Sequence, residues 1–150
     1  MRLDKPSGKT FEGLYSLINY FAERQEMLPK THDQLYKYRR AFRVLLEEEK
    51  VIACGMLDLF TPELAEIKSL AVDPNHQKKG YGRILVEDCE KEARSLGIKK
   101  VFALTYQVEF FQKLGYKVVG MDALPEKVFR ECNECPFKDS CNETAVIKSL

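Results

Sequence analysis

The feature that decides the fold is a glycine-bearing loop between a predicted strand and a predicted helix, Gln77-Lys78-Lys79-Gly80-Tyr81-Gly82. The apolar run of residues 64–72 predicts the strand, and apolar residues at helical spacing up to Leu96, followed by Gly97, predict the helix. Glycines before a helix N-terminus let a phosphate approach unpaired backbone N–H groups and the positive end of the helix dipole. The loop is therefore typical of a pyrophosphate site, with a simple tight turn as the alternative.

Two common nucleotide-binding signatures do not fit this loop. It lacks the third glycine of the dinucleotide fingerprint, and it lacks the Gly-Lys-Ser/Thr ending of a P-loop. NAD and ATP are therefore poor candidate ligands.

The segments around the loop predict a mixed α/β fold. A helix joins the strand at residues 64–72 to a strand at residues 98–105, so these two strands can pair in parallel as a βαβ unit. Alternation predicts further strands, and helical spacing predicts further helices. The expected strands are residues 42–46, 51–57, 64–72, 98–105, 116–119 and 144–147, and the expected helices are residues 10–25, 31–38, 77–96 and 108–114.

Length and charge limit the classes of function. A chain of 150 residues with 45% hydrophobic content matches one domain, residues 1–150. Its 24 basic and 23 acidic side chains leave a net charge of +1, too small for a broad field that would hold nucleic acid or an anionic membrane. No apolar run is long enough for a membrane span or a signal peptide. We therefore expect a cytoplasmic protein that binds neither nucleic acid nor membranes.

Three blocks of sequence resemble the GNAT superfamily of acetyl-CoA-dependent acyltransferases. Gln77, Gly80 and Gly82 occupy the defined positions of its signature, Gln/Arg-x-x-Gly-x-Gly/Ala. Residues 69–74 match the usual approach to that loop, and residues 110–116 resemble a second block of the family. The resemblance implies the GNAT fold, a central twisted mixed sheet of about six to seven strands flanked by helices, with acetyl-CoA as co-substrate.

The resemblance also implies where acetyl-CoA binds. The pantetheine is expected to lie like an added strand beside Leu70, Ala71 and Val72. Lys78 and Lys79 either help to hold the phosphates or are solvated surface residues. The pyrophosphate is expected on the backbone amides of Gln77, Lys78, Lys79, Gly80, Tyr81, Gly82 and Arg83.

Within the superfamily, the chain is most similar to bacterial N-acetylglutamate synthases, over roughly residues 25–150. This similarity implies acetyl transfer to the α-amino group of a small amino acid, glutamate first, in arginine biosynthesis. The chain has no counterpart of the amino-acid kinase domain that often precedes this unit, so arginine feedback through such a domain is not expected. The sequence leaves open whether the chain forms a homodimer. The matching segments are residues 27–31, 65–72, 102–105 and 124–129.

The acceptor amine must lose a proton, because an α-ammonium group is largely protonated at neutral pH, and a buried carboxylate can accept that proton directly or through water. Glu66 interrupts an otherwise apolar strand near the expected thioester and is the candidate base. The alternative is an edge-facing or salt-bridged glutamate. The backbone N–H near Leu70 is the candidate donor to the oxyanion.

The acid that protonates the leaving thiolate is less well defined. Many GNAT enzymes place a tyrosine where this chain has Phe111, which cannot donate a proton. Tyr106 is the first candidate, and Gln107 and Tyr116 are alternatives, although core packing suits Tyr116 better. A thiolate can also leave without an enzymic acid.

A dicarboxylate acceptor requires fixed cations that make charge-assisted hydrogen bonds. Lys30 and Lys68 lie in the matching segments. Lys68 is two residues from Glu66 in a strand, so both side chains should emerge on one face, where a simple ion pair is the alternative. The full set of expected substrate-binding residues is Lys30, Lys68, Ser69, Gln107, Lys127 and Asn142.

A cluster of thiols near the C-terminus, Cys132, Cys135 and Cys141, could bind zinc or form a redox pair. A fourth zinc ligand is not obvious, with Asp139, Cys54 and water as options. The alternative is a set of reduced thiols in an irregular loop, since five cysteines do not make a disulfide framework.

Two other functions stay open at this point. The first is acetylation of another amine, such as a polyamine, an antibiotic or a protein N-terminus, against which Lys30 and Lys68 argue mildly. The second is a non-catalytic acyl-CoA or metal-responsive binding module, which Phe111 and the C-terminal cysteines favour.

Overall fold

The computed structural model describes residues 1–124 and 143–150. Within these ranges lie four α-helices, α1 (Phe11–Glu23), α2 (His32–Lys37), α3 (Tyr81–Ser95) and α4 (Val108–Lys113), and two 3-10 turns, Pro74–His76 and Met121–Ala123. The seven strands of the same ranges are β1 (Arg2–Asp4), β2 (Phe42–Glu47), β3 (Lys50–Thr61), β4 (Leu64–Val72), β5 (Lys100–Thr105), β6 (Lys117–Val119) and β7 (Thr144–Ser149).

The strands form one sheet in the order β1-β2-β3-β4-β5-β7-β6. The β4–β5 pair is parallel, and the other neighbouring pairs are antiparallel. Helix α3 connects β4 to β5, as a parallel pair requires. The predicted mixed α/β fold and the central βαβ unit are thereby confirmed, and the seven strands agree with the expected six to seven.

Strands β1 and β3 differ most from the sequence-based prediction, whereas the ends of the other strands lie within two residues of it. Strand β1 was not predicted, because three exposed residues carry no periodic signal. Strand β3 continues to Thr61, four residues beyond the predicted end, since Asp58 interrupts the apolar run and Leu59 faces solvent. The predicted end of α3 is correct, because Gly97 takes the left-handed conformation (φ 77°) just after the helix.

Parallel pairing between β4 and β5 is short. It comprises Leu64↔Lys100, Ala65↔Val101 and Glu66↔Phe102, although β4 continues to Val72 and β5 to Thr105. Beyond the last of these pairs, the edge of β4 that faces away from β3 is not covered by β5 in the described part of the chain. The sheet therefore opens beside Glu66.

The two faces of the sheet bury different helices. On the face that we call the α1 face, Leu14 and Ile18 of α1 pack in one cluster with Met56 and Ala71. On the opposite α3 face, the apolar cluster comprises Val86, Cys89 and Ala93 of α3 and Phe111 of α4 together with strand residues Leu57, Ala65, Ile67, Val101 and Val146. Lys68 pairs with Met56, so Lys68 and, two residues earlier, Glu66 lie on the α1 face.

Two buried charged groups fix α3 against the sheet. Arg43 of β2 is 2% exposed, donates from Nε to Asp88 Oδ2 at 3.1 Å, and forms an ion pair with Glu92. Glu90 accepts a 2.7 Å hydrogen bond from the Tyr116 hydroxyl and lies 3.2 Å from Lys148 Nζ of β7. Helix α3 is thus held by ionic contacts at both sides, in addition to its apolar packing.

The Tyr116 hydroxyl provides a test of this packing. The substitution Tyr116→Phe removes its bond to the buried Glu90 carboxylate and should lower the free energy of unfolding by about 2 kcal/mol, measured by urea denaturation. The matched control is Tyr38→Phe, because Tyr38 is 46% exposed, and it should leave the free energy unchanged. Equal stability of both variants would show that the Tyr116–Glu90 bond contributes nothing.

The stabilisation that the Tyr116–Glu90 hydrogen bond provides should depend on pH. Burial, followed by the contacts with Glu90, raises the pKa of Tyr116 well above its ordinary value. Because the folded state binds the phenolic proton more tightly, this contribution is complete below the unfolded pKa and is lost as pH rises through the folded one. The difference in unfolding free energy between wild type and Tyr116→Phe should therefore shrink above about pH 10.

Candidate active site

Glu66 lies at the point where the sheet opens. Its side chain is buried, with 4% of the residue exposed, on the α1 face of β4. It is the last β4 residue paired with β5, opposite Phe102, and its partner on β3 is Asp58. The fold thus places a buried carboxylate next to the uncovered edge of β4.

Lys68 connects the two carboxylates of this region. Its Nζ donates to Asp58 Oδ2 at 2.8 Å and lies 3.6 Å from Glu66 Oε1. The same ammonium lies 5.3 Å from the centroid of the Phe60 ring. Glu66 and Lys68 therefore share a face, as their spacing predicts, and the charge of Lys68 is shared between two acids.

Sequence reasoning missed Asp58. The signal was present, because Asp58 is a polar residue inside a mostly buried strand, as Glu66 is. Its importance depends on the register of β3 against β4, which places it directly across from Glu66. The pattern of a single segment does not give that register.

A bulge in β4 follows these side chains. Ser69 has a positive φ of 53°, and the register against β3 shifts there, since Lys68 pairs with Met56 but Ala71 pairs with Cys54. The Cys54 thiol donates to the Ser69 carbonyl at 3.3 Å. Burial raises the pKa of Cys54 to about 12, so the thiol keeps the proton that makes this bond. The hydrogen bond from the Cys54 thiol therefore stabilises the backbone of the Ser69 bulge.

The three residues after the bulge line the opening from both faces. Leu70 and Val72 pack against Leu85 on the α3 face, whereas Ala71 belongs to the α1-face cluster. Because β4 pairs only with β3 along this stretch of the described chain, the backbone groups on its other edge can accept an extended ligand.

The loop after β4 is held by its own residues. Gln77 Nε2 donates to the Val72 carbonyl at 3.1 Å, so this side chain closes the loop and does not point away from it. Lys78 (φ 65°) and Gly80 (φ 85°) both take the left-handed conformation, and Gly80 precedes α3 without a side-chain capping bond. The first N–H groups of this 15-residue helix are thus left for a ligand.

Gly82 allows close packing in the first turn of α3. A Cβ atom at this position would lie 3.1 Å from Cζ of Phe110 in α4. Together with the uncapped helix N-terminus, this close approach of two helices beside the sheet opening fits the pyrophosphate and pantetheine of acetyl-CoA. Arg83, at the same helix end, forms an exposed ion pair with Glu87 at 3.3 Å.

His76 is a second residue that the sequence did not single out. Its Nδ1 lies 3.2 Å from Asp73 Oδ1, just before the loop. Burial opposes ionisation of Asp73, but the bonds from the Asn75 backbone and from His76 hold the pKa of Asp73 below its ordinary value. The pair fixes the turn that leads from β4 into the loop.

The candidate acids lie in different environments. Phe111 is buried and packs edge-on against Tyr116, with ring centroids 5.0 Å apart, and the Tyr116 hydroxyl is committed to Glu90 on the α3 face. Tyr106 is 43% exposed at the end of β5, across the opening from β4. Gln107 is the N-cap residue just before α4, and its backbone N–H donates to Thr105 Oγ1 at 2.8 Å.

Lys30 lies in the connection between α1 and α2. Asn19 of α1 donates to the Lys30 carbonyl at 3.2 Å and so fixes this connection. Met27, three residues earlier, packs against the α1-face cluster that contains Met56. Lys30 therefore belongs to the layer that covers the same face as Glu66 and Lys68.

Several predicted residues lie outside the described residues: Lys127, Cys132, Cys135, Cys141 and Asn142. Within residues 1–124 and 143–150, no group of three or more His, Cys, Asp or Glu side chains is placed to hold a metal ion. Cys54 and Cys89 are buried free thiols. None of the described helices combines the length and apolar character needed to cross a membrane.

Comparisons with known proteins agree on one family. The model of the acetyltransferase (GNAT) family matches residues 9–116. An uncharacterized N-acetyltransferase of Chlorobaculum tepidum is 37% identical over 124 residues, which are 83% of this chain and 80% of that protein. An amino-acid acetyltransferase of Mannheimia succiniciproducens is 31% identical over 117 residues, which are 77% of this chain but 27% of that protein. The chain thus spans about a quarter of the length of this second relative.

Among solved structures, the chain is similar to N-acetylglutamate synthase from Neisseria gonorrhoeae complexed with coenzyme A and N-acetyl-glutamate. The TM-score is 0.91 at 24% identity, and the match covers 99% of this chain and 35% of the other. At this identity the similarity establishes a shared fold.

Gly82 provides a test of the helix N-terminus as the coenzyme site. In Gly82→Ala, the added Cβ would crowd the Phe110 ring beside the first turn of α3, where the coenzyme is proposed to approach the backbone, so the Kd for coenzyme A should rise about tenfold by calorimetry. The control is Gly8→Ala, because a Cβ at Gly8 has no neighbour within 4 Å. If Gly82→Ala binds coenzyme A as wild type does, the alignment of this turn is not needed for binding.

Proposed function

The chain belongs to the acetyltransferase (GNAT) family and is an acetyl-CoA-dependent N-acetyltransferase, and we propose that its acceptor is the α-amino group of a small amino acid, with L-glutamate first. The observation that carries the proposal is the buried Glu66 carboxylate beside the opening between β4 and β5. The names of the amino-acid acetyltransferase relatives support the acceptor class. We place the reaction in arginine biosynthesis in the cytoplasm.

Glu66 acts as the general base in this proposal. The acceptor enters as an ammonium ion, and Glu66 takes its proton directly or through one water molecule. The free amine then attacks the carbonyl carbon of the thioester, so a C–N bond forms and the C–S bond breaks. The nitrogen of the tetrahedral intermediate then gives up a second proton to solvent, and the proton on Glu66 also passes to solvent. The departing thiolate takes one proton, either from water or from Tyr106, which water then reprotonates.

Acetyl-CoA supplies the activated acetyl group, and the chain supplies its placement. The backbone amides of residues 77–83, at the uncapped start of α3, hold the pyrophosphate. The uncovered edge of β4 at Leu70, Ala71 and Val72 holds the pantetheine, which directs the thioester toward Glu66. The N–H of Leu70, next to the Ser69 bulge, donates to the developing oxyanion.

Recognition of the acceptor falls to the α1 face. Lys30 is the candidate partner for the side-chain carboxylate of glutamate, because it lies in the layer that covers this face. Lys68 already shares its charge between Asp58 and Glu66, so its main effect is on the base. Ser69 and Gln107 lie at the two sides of the opening, and Lys127 and Asn142 complete the proposed set.

The test is detection of acetylated products by mass spectrometry, from acetyl-CoA and a panel of amino acids and polyamines. We expect N-acetylglutamate to be the main product. In Glu66→Gln, kcat/KM for glutamate should fall about 100-fold or more, while the Kd for coenzyme A stays the same. The control is Glu63→Gln, because Glu63 is exposed in the turn before β4, and this substitution should leave kcat/KM unchanged.

Other outcomes would replace parts of the proposal. A polyamine or another amine as the preferred acceptor would show that the substrate class is wrong. Full activity in Glu66→Gln would remove Glu66 as the base. Tight binding of coenzyme A without product from any amine would favour a binding module.

A further inference from the structure

Asp58 lies directly opposite Glu66 on the neighbouring strand β3, and both carboxylates lie close to the ammonium group of Lys68. We propose that Asp58 is a positioning residue, which holds Lys68 back from Glu66 and so keeps the Glu66 carboxylate able to take a proton. This inference rests on the proposed role of Glu66 as the base. It assigns a function to a residue that neither the sequence patterns nor the family resemblance indicated.

The ammonium group of Lys68 lies closer to Asp58 than to Glu66. Lys68 Nζ lies 2.8 Å from Asp58 Oδ2, within hydrogen-bond range, but 3.6 Å from Glu66 Oε1, beyond it. Asp58 and Glu66 are directly opposite in the β3–β4 register, so Lys68, two residues along β4, is the diagonal neighbour of Asp58. The strong charge-assisted bond of the ammonium is therefore made to Asp58.

The side chains of Asp58 and Glu66 differ in their exposure to solvent. The side chain of Asp58 is 30% exposed, whereas that of Glu66 is 5% exposed. Burial disfavours the charged form of a carboxylate, and Glu66 is much the more deeply buried of the two acids. The arrangement thus places the ammonium on the more exposed acid and leaves the buried Glu66 as the candidate to exchange a proton.

A direct hydrogen bond from Lys68 to Glu66 would weaken Glu66 as a base. Protonation of Glu66 would then break a charge-assisted hydrogen bond, so Glu66 would hold a proton less tightly and would be a weaker base. Asp58 prevents this by competing for the ammonium. Its own negative charge, directly across from Glu66, also favours the protonated form of Glu66.

Charged and titratable groups reach the face of Glu66 from several described elements. Asp58 of β3 is in register with Glu66, Lys68 of β4 lies 3.6 Å from it, and Lys30 lies in the layer that covers this face. From β5, the residue in register is the uncharged Phe102. The side chains of α1 in the cluster on this face are apolar apart from the phenol of Tyr15: Phe11, Leu14, Leu17, Ile18 and Phe21.

The experiment measures the titration of Glu66 itself. The full chain is labelled with 13C at the side-chain carboxyl of glutamate, and the Glu66 resonance is identified by its loss in Glu66→Gln. The midpoint is then followed by NMR in wild type, Asp58→Asn and Lys68→Met. Asp33→Asn, an exposed aspartate in α2, is the matched control and should change nothing.

The two variants should move the midpoint in opposite directions. In Asp58→Asn, Lys68 is released to Glu66 and one negative charge is lost, so the midpoint should fall by about one pH unit. In Lys68→Met, Glu66 loses the cation and keeps the neighbouring Asp58, so the midpoint should rise by about one pH unit. A merely structural role of Asp58 would not produce this pair of shifts.

An unchanged midpoint in Asp58→Asn, with the fold intact by the NMR spectrum, would overturn the proposal, and so would a shift to higher pH. The acid limb of kcat/KM for glutamate should move in the same directions as the NMR midpoints, with an unchanged KM for acetyl-CoA. Because the titration needs no turnover, its result is independent of the acceptor. Loss of the proposed function would appear separately, as activity that survives in Glu66→Gln.

Discussion

The arrangement of the whole site depends on the short parallel pairing between β4 and β5. A buried strand normally satisfies the hydrogen-bonding groups on both of its edges within the sheet. Here β4 pairs with β5 for three residues only, and the bulge at Ser69 lies just beyond. In the part of the chain that the structure describes, the sheet therefore leaves one edge of a central strand uncovered, and Glu66 is the last residue before that edge begins.

The crossover helix links this edge to the proposed anion site. Only the eight residues 73–80 join the end of β4 to the start of α3, so the uncapped helix N-terminus and the uncovered strand edge are neighbours along the chain. The buried contacts of Arg43 and Glu90 then fix α3 against β2 and β7. The same helix that closes the βαβ unit thus aligns the two parts of the proposed coenzyme site.

Local features could be predicted from the sequence, and features that depend on register could not. The loop at Gly80, the end of α3 at Gly97 and the strand around Glu66 each carry a signal within a few residues. The partnership of Asp58 with Lys68 arises only when β3 and β4 are aligned, and the separation of β4 from β5 has no counterpart in either strand alone. The sequence also could not indicate that Gln77 would bind the backbone of its own loop.

The support of the Ser69 bulge by Cys54 has a practical consequence for thiol chemistry. Cys54 and Cys89 are fully buried, and burial raises their pKa values to about 12 and about 11. Neither side chain forms an appreciable thiolate at neutral pH, and the thiolate is the species that reacts with alkylating agents and oxidants. Iodoacetamide should therefore leave both thiols of the native chain unmodified, so the Ser69 bulge keeps its hydrogen bond from Cys54 in a protein whose accessible thiols have been blocked.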